Sequence, residues 1–212
     1  VPLQPPSQQP SQQPPPPQQP PSNLAHELRV DTPSRNFTRG VANRDIRGIV
    51  LHSADGASQQ GDLSELTTGS RGASAHYYIT RDGKVHHLVA DDDIAHHAGV
   101  MNIDPAHFGN AASIGIEQEH VDGKDDWPDA QVRRTAIIVS HILQSHPNLT
   151  LNDVMGHSDV APGHKVDPVN YPWAKFRDYV ASFMGGSVAG TPHHGRYAEA
   201  ATEPSARLIA LD

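Results

Sequence analysis

Five residues in this chain have side chains suited to hydrolytic chemistry on a metal: His52, Glu117, His157, Lys165 and Asp167. A zinc ion that does chemistry needs three protein ligands and one open position, where a water can be brought to a pKa of about 7. A nearby carboxylate can then move the water's proton, and a nearby cation can hold the oxyanion that forms. His52, His157 and Asp167 meet the ligand requirement, and Glu117 and Lys165 meet the other two. Three of the five stand in one short stretch, Gly156-His157-Ser158-Asp159-Val160-Ala161-Pro162-Gly163-His164-Lys165-Val166-Asp167-Pro168. Its glycines and prolines predict a segment that is neither helix nor regular strand, a loop able to aim several polar groups at one point.

Each residue also has a plainer reading. His52 ends an apolar run and could be a satisfied core or surface imidazole. The spacing of His157 and Asp167 matches no standard metal motif. Lys165 could be a solvated loop lysine, and Glu117 could merely alternate outward from a strand, with Glu119 of the same parity as the alternative for its role. From the residues alone, the chemistry reaches no further than metal-assisted amide hydrolysis.

The elements that must position these groups are visible as hydrophobic patterns. Ile46 to Ser53 reads as a buried strand delivering His52 at its end, and Ser74 to Thr80 as a second strand. Arg81-Asp82-Gly83-Lys84 predicts a hairpin turn into a third strand, Val85 to Val89, because Asp-Gly supplies the positive φ that tight hairpins need. Ser113 to Glu119 alternates with period two and carries Glu117. A short helix is expected near Asp62 to Leu66. A longer one opens at Trp127-Pro128-Asp129, with Val132, Ala136, Val139 and Leu143 at helical spacing, and ends before Pro147. A closing amphipathic helix is expected over Tyr171 to Val180. These elements predict one α/β domain with a central mixed sheet flanked by helices, over residues 36–184. Residues 1–35 read as a leader whose first 22 positions are almost entirely Pro, Gln and Ser, and 185–212 as a flexible tail.

Composition removes other function classes. The formal net charge is −8, so no basic field exists to hold nucleic acid or an anionic membrane. There are no cysteines, hence no disulfides and no thiolate ligands, whereas 15 histidines make an imidazole and carboxylate site the available kind. No apolar run approaches the ~20 residues of a membrane span. The chain opens on Val1 rather than Met, and a spacer behind a cleaved export signal is preferred here over a shortened chain. Action in the periplasm, cell wall or outside the cell is therefore expected, by a monomer.

Four blocks then carry a resemblance: Ile49-Val50-Leu51-His52-Ser53-Ala54, Ser74 to Gly83, Ser113-Ile114-Gly115-Ile116-Glu117, and Gly156 to Pro168. Ala95-His96-His97-Ala98-Gly99 is a fifth. Together, in this order, they resemble the type-2 N-acetylmuramoyl-L-alanine amidases, zinc enzymes that share a fold with peptidoglycan-recognition proteins. The resemblance implies one Zn2+ on His52, His157 and Asp167, with Asp167 in place of the cysteine that some relatives use. It implies Glu117 as the group handling the water's proton, since Ala75 stands where the phage-lysozyme branch has a tyrosine, and Lys165 as the oxyanion's cation. It implies peptidoglycan or a muropeptide as partner, with His97 lining the cleft as a substrate contact. His96 stands where many relatives carry Trp, and His76 reads as structural. The alternative on the same fold is a module that binds peptidoglycan without cutting it.

Overall fold

The computed structural model describes residues 29–186 apart from Val100. A six-stranded mixed sheet forms the centre, in the order β1-β5-β4-β7-β3-β8. Its strands are β1 (Arg29–Asp31), β3 (Gly48–Leu51), β4 (Tyr77–Ile79), β5 (Val85–His87), β7 (Ser113–Gln118) and β8 (Val154–Gly156). Only the β4–β5 pair is antiparallel, as the Asp82-Gly83 hairpin requires, and Gly83 takes the expected positive φ of 82°. A two-stranded antiparallel ribbon, β2 (Phe37–Thr38) with β6 (Ile94–Ala95), stands beside it.

Alternation along the strands divides the core. Ile49 and Leu51 of β3 and Ile114 and Ile116 of β7 face one side, where they pack with Val132, Ala136, Val139 and Leu143 of α3 (Asp129–Ser145) and Phe176 and Val180 of α5 (Trp173–Phe183). Phe176 is fully buried there, and cutting such a ring to Ala costs about 3–5 kcal/mol. Residues of the other parity face away. Tyr78 packs with Leu66 of α1 (Gln59–Thr68), and Val50 with Met155 and with Phe108 of α2 (Pro105–Phe108). Ser113, Gly115 and Glu117 share that second side of β7. The apolar half of the strand therefore holds the domain together, while the polar half is free for chemistry.

The sequence expectations need three corrections. The boundary at residue 36 is too late, because β1 pairs in parallel with β5 through Arg29↔Val85 and Asp31↔His87. A three-residue edge strand is too short to show a period. The stretch after Gly156 is not all irregular: His157–Val160 makes one helical turn, α4, whose start is capped by Gly156 N–H donating to Asp159 Oδ2 at 3.1 Å. The helix expected near Asp62 runs further, starting where Ser58 Oγ accepts from Gly61 N–H at 3.2 Å. The Pro/Gln-rich residues 1–22 and the tail from 187 lie outside the described residues.

Candidate metal centre and catalytic cleft

Strand register builds the site. Leu51 of β3 is paired with Ile116 of β7 on one side and with Gly156 of β8 on the other, all in parallel. The next residue of each strand is therefore His52, Glu117 and His157, in a row across the carboxyl ends of three neighbouring strands. Crevices outside those ends are where open α/β sheets place ligands. Asp167 reaches the same row because the loop doubles back, with Ser158 N–H donating to the Asp167 carbonyl at 2.7 Å.

The three side chains offered as ligands converge. His52 Nδ1 and His157 Nδ1 stand 2.9 Å apart, and Asp167 Oδ2 lies 3.2 Å from the second and 3.5 Å from the first. Among the described residues this is the one cluster of His and acidic side chains whose ligand atoms could hold a metal. His157 Nε2 faces the Ala98 carbonyl at 3.0 Å. A carbonyl only accepts, so Nε2 carries a hydrogen, and in the one-hydrogen form of the ring Nδ1 is the free ligand atom beside Asp167. Burial, reinforced by His157, pushes the His52 imidazole down to about 4, so it is neutral. The arrangement is two imidazole nitrogens and a carboxylate oxygen converging on one point.

The cleft over this row encloses about 650 Å³ and is lined by His52, Glu117, His157, Lys165 and Asp167 among others. Glu117 is half-buried, and its Oε2 has no protein partner. Burial, with like charge from Asp167 and Asp62, pushes its carboxyl up to about 8 against the pull of Lys165. Glu119, of the same parity, is engaged elsewhere, accepting from the Arg81 backbone N–H at 3.0 Å. Lys165 is exposed on the rim, near enough to act on both His52 and Glu117. His97 also lines the cleft, but both its ring nitrogens meet protein groups, His52 Nε2 at 3.1 Å and Ser113 Oγ at 3.3 Å. His96 spans the wall between Thr38 Oγ1 at 2.9 Å and the Gly72 carbonyl at 3.0 Å. His76 is fully buried and accepts from Gly115 N–H at 3.0 Å.

Two contributors escape a reading of the sequence. Asp122 accepts from Ser53 Oγ at 2.7 Å and from Val169 N–H at 3.1 Å, stapling the segment after His52 to the segment after Asp167. Nothing marks it within a polar run. Asn110 holds the backbone of the 97–98 segment, its Oδ1 accepting from His97 N–H at 3.1 Å and Ala98 N–H at 2.8 Å. Ser113 and Gly115 did leave a signal, as the small residues on the Glu117 side of an apolar strand.

Residues 42–170 match the family model of the N-acetylmuramoyl-L-alanine amidases. The chain belongs to this family. The family's span begins just ahead of β3 and closes just past Asp167, so it takes in every residue of the row. The chain is 38% identical over 109 residues to the 1,6-anhydro-N-acetylmuramyl-L-alanine amidase AmpD of Escherichia coli, a match covering 51% of this chain and 58% of that protein. It thus spans a little over half the length of such relatives. A crystal structure of a selenomethionine AmpD derivative superposes with a TM-score of 0.62 at 27% identity, covering 72% of this chain and 93% of that one. AmpDh3 from Pseudomonas aeruginosa, solved in complex with anhydromuramic pentapeptide, gives 0.58 at 30% identity, covering 69% and 65%. This amidase-family chain therefore has the mixed-sheet fold of its relatives, and its candidate metal cluster sits within the family span.

Proposed function

We propose that the protein is a zinc-dependent N-acetylmuramoyl-L-alanine amidase. It would hydrolyse the amide between the lactyl group of N-acetylmuramic acid and the L-alanine of the stem peptide. The observation that carries this reading is the convergence of His52 Nδ1, His157 Nδ1 and Asp167 Oδ2 in the same cleft as Glu117. In a tetrahedral site with metal–nitrogen bonds of about 2.0–2.1 Å, neighbouring ligand atoms lie about 3.3 Å apart. The observed 2.9, 3.2 and 3.5 Å bracket that value. Two imidazoles and one carboxylate suit zinc, whereas calcium and magnesium call for shells of oxygen.

When bound, zinc supplies Lewis acidity toward the scissile carbonyl and the attacking water. His52, His157 and Asp167 would hold it. Glu117 takes the water's proton and delivers it to the departing amine of L-alanine, ending as the carboxylate it began as. With a metal's charge beside it, the Glu117 carboxyl would lie below the value of about 8 that it has with Lys165 alone, closer to neutrality, where a group can both accept and return a proton. Lys165 on the rim places a positive charge near the oxygen that becomes anionic. The name of the Escherichia coli relative and the ligand in the Pseudomonas aeruginosa structure both support a muropeptide as the substrate class.

The test is digestion of purified peptidoglycan and of soluble anhydro-muropeptides, followed by mass spectrometry for stem peptides that begin with L-alanine. Release that stops with a chelator and returns with zinc is the expected result. No release from either substrate by zinc-loaded protein would overturn the reading and leave a peptidoglycan-binding module as the better account. We further infer action outside the cytoplasm, supported by the Pro/Gln-rich composition of residues 1–22, which suits a spacer reaching toward wall material. Fractionation that recovers the protein from cytoplasm alone would remove that inference.

A further inference from the structure

A line of hydrogen-bonding groups runs from β7 to His52, and no step above uses it. Ser113 Oγ lies 2.8 Å from the Phe108 carbonyl and 3.0 Å from the Gly109 carbonyl. A hydroxyl has one hydrogen, and carbonyls only accept, so that hydrogen is committed to them. What Ser113 presents to His97 Nε2, 3.3 Å away, is a lone pair. His97 must then carry its hydrogen on Nε2 and leave Nδ1 bare. His97 Nδ1 lies 3.1 Å from His52 Nε2, so His52 is the donor in that contact and its own Nδ1 is bare. The bare Nδ1 is the atom 2.9 Å from His157 Nδ1.

The second ligand is set from the adjacent residue. The Ala98 carbonyl takes a hydrogen from His157 Nε2 at 3.0 Å, so in the one-hydrogen form of the ring, the form that binds a metal, Nδ1 is bare. Asn110 Oδ1 holds both backbone N–H groups of this dipeptide, at 3.1 and 2.8 Å. Gly115 gives the His97 ring its place: a Cβ there would lie 2.2 Å from His97 Cγ, a distance that real contacts do not reach. The chain's own hydrogen bonds thus turn two lone pairs and a carboxylate on one point, with no hydrogen among them.

We propose that His97 and Ala98, held by Asn110, Ser113 and Gly115, are a positioning element that fixes both imidazole ligands in the tautomer with Nδ1 free for a cation. His97 is accordingly a positioning residue that acts through His52. The inference rests on the metal reading above and deepens it. It also explains why two histidine rings face each other so closely in a buried setting: their Nδ1 atoms are aimed at a third party and away from partners of their own.

The experiment uses the whole chain labelled with 15N-histidine, first stripped of metal. Long-range nitrogen–proton spectra should show His52 and His157 each with a pyrrole-type Nε2 and a pyridine-type Nδ1. A proton found on Nδ1 of either ring would overturn the proposal without any variant being made. Zinc affinity, measured by competition with a chromophoric chelator, should fall about 10- to 100-fold in His97→Phe. His97→Asn retains an acceptor near His52 Nε2 and should recover much of that loss, which a merely structural role would not produce. Equal zinc affinity in His97→Phe and the parent protein would also overturn the proposal. Failure of the parent protein to bind zinc overturns both this inference and the metal reading. Tight zinc binding without stem-peptide release overturns the amidase reading alone.

Discussion

The Nδ1 atoms of His52 and His157, 105 positions apart in the chain, stand 2.9 Å from each other because the residues before them, Leu51 and Gly156, are register partners on adjacent parallel strands. Side-chain placement at this point is a property of the sheet, and no local spacing motif is needed. Metal removal should therefore act on the junction of β3 and β8. At free zinc 1,000-fold above the dissociation constant, binding to the folded state adds about 4 kcal/mol. For a domain of this size that corresponds to roughly 8–16 °C in melting temperature. Thermal melts with zinc and with chelator should differ by such a margin, and the difference should vanish in His157→Ala.

Glu117 gives a pH signature in the metal-free protein. Its folded value of about 8 stands above the ordinary 4.5, so within that window the folded chain keeps a proton that the unfolded chain has lost. Stability then falls as pH rises through the window, by at most about 1.4 kcal/mol per unit. Glu117→Gln removes the penalty. The chelated variant should match the parent near pH 4.5 and exceed it above pH 8 by about 2–4 kcal/mol in urea melts, allowing for partial solvent access. Identical pH dependence in the two proteins would refute the account.

The same substitution also removes the group proposed to carry the proton. Glu117→Gln should lower kcat on muropeptide about 10²- to 10⁴-fold while zinc stays bound. Lys165→Ala should lower kcat about 10²- to 10³-fold. Because the lysine is exposed and is not among the converging ligand atoms, zinc affinity and melting temperature should barely move. A Lys165→Ala protein that loses zinc instead would place the lysine's effect on the ligands.

Asp122 offers a test of how the ligand-bearing segments are joined. Its Oδ1 receives Ser53 Oγ–H and Val169 N–H, one near His52 and the other near Asp167. Hydrogen bonds to a charged group contribute about 1.5–3 kcal/mol each. Asp122→Ala should destabilise the domain by about that much and weaken zinc binding, with Asp122→Asn in between. Calorimetric melts and chelator competition on the three proteins decide it.

The parts of the site that could be read from the sequence are those delivered by long, strongly patterned elements. His52 and Glu117 each close an apolar run whose alternation tells which side they take. The helix over Asp129–Ser145 is legible because its buried positions, Val132 to Leu143, recur at helical spacing over about three turns. What stayed hidden lacks a pattern for physical reasons. β1, β2 and β6 are two or three residues long and gain their hydrogen bonds from neighbours, with no period of their own. α4 follows a glycine in a Gly/Pro-containing stretch and owes its single turn to Asp159 at its start. His97 is expected as a substrate contact because the motif it belongs to lines the cleft. That both its nitrogens are used within the protein depends on Ser113 and His52, which meet it only in the folded sheet.

The pairing of β3 with β8 joins an early strand to the last one among the described residues. Closing so long a loop exacts its entropy before any contact rewards it, so this edge of the sheet completes late. An ion held between His52 and His157 would bolt that final closure. It would contribute little to the transition state that precedes it, so zinc should leave the refolding rate nearly unchanged and slow unfolding. For this domain the supply of metal would then govern how long a folded molecule lasts, and only weakly how quickly one is made.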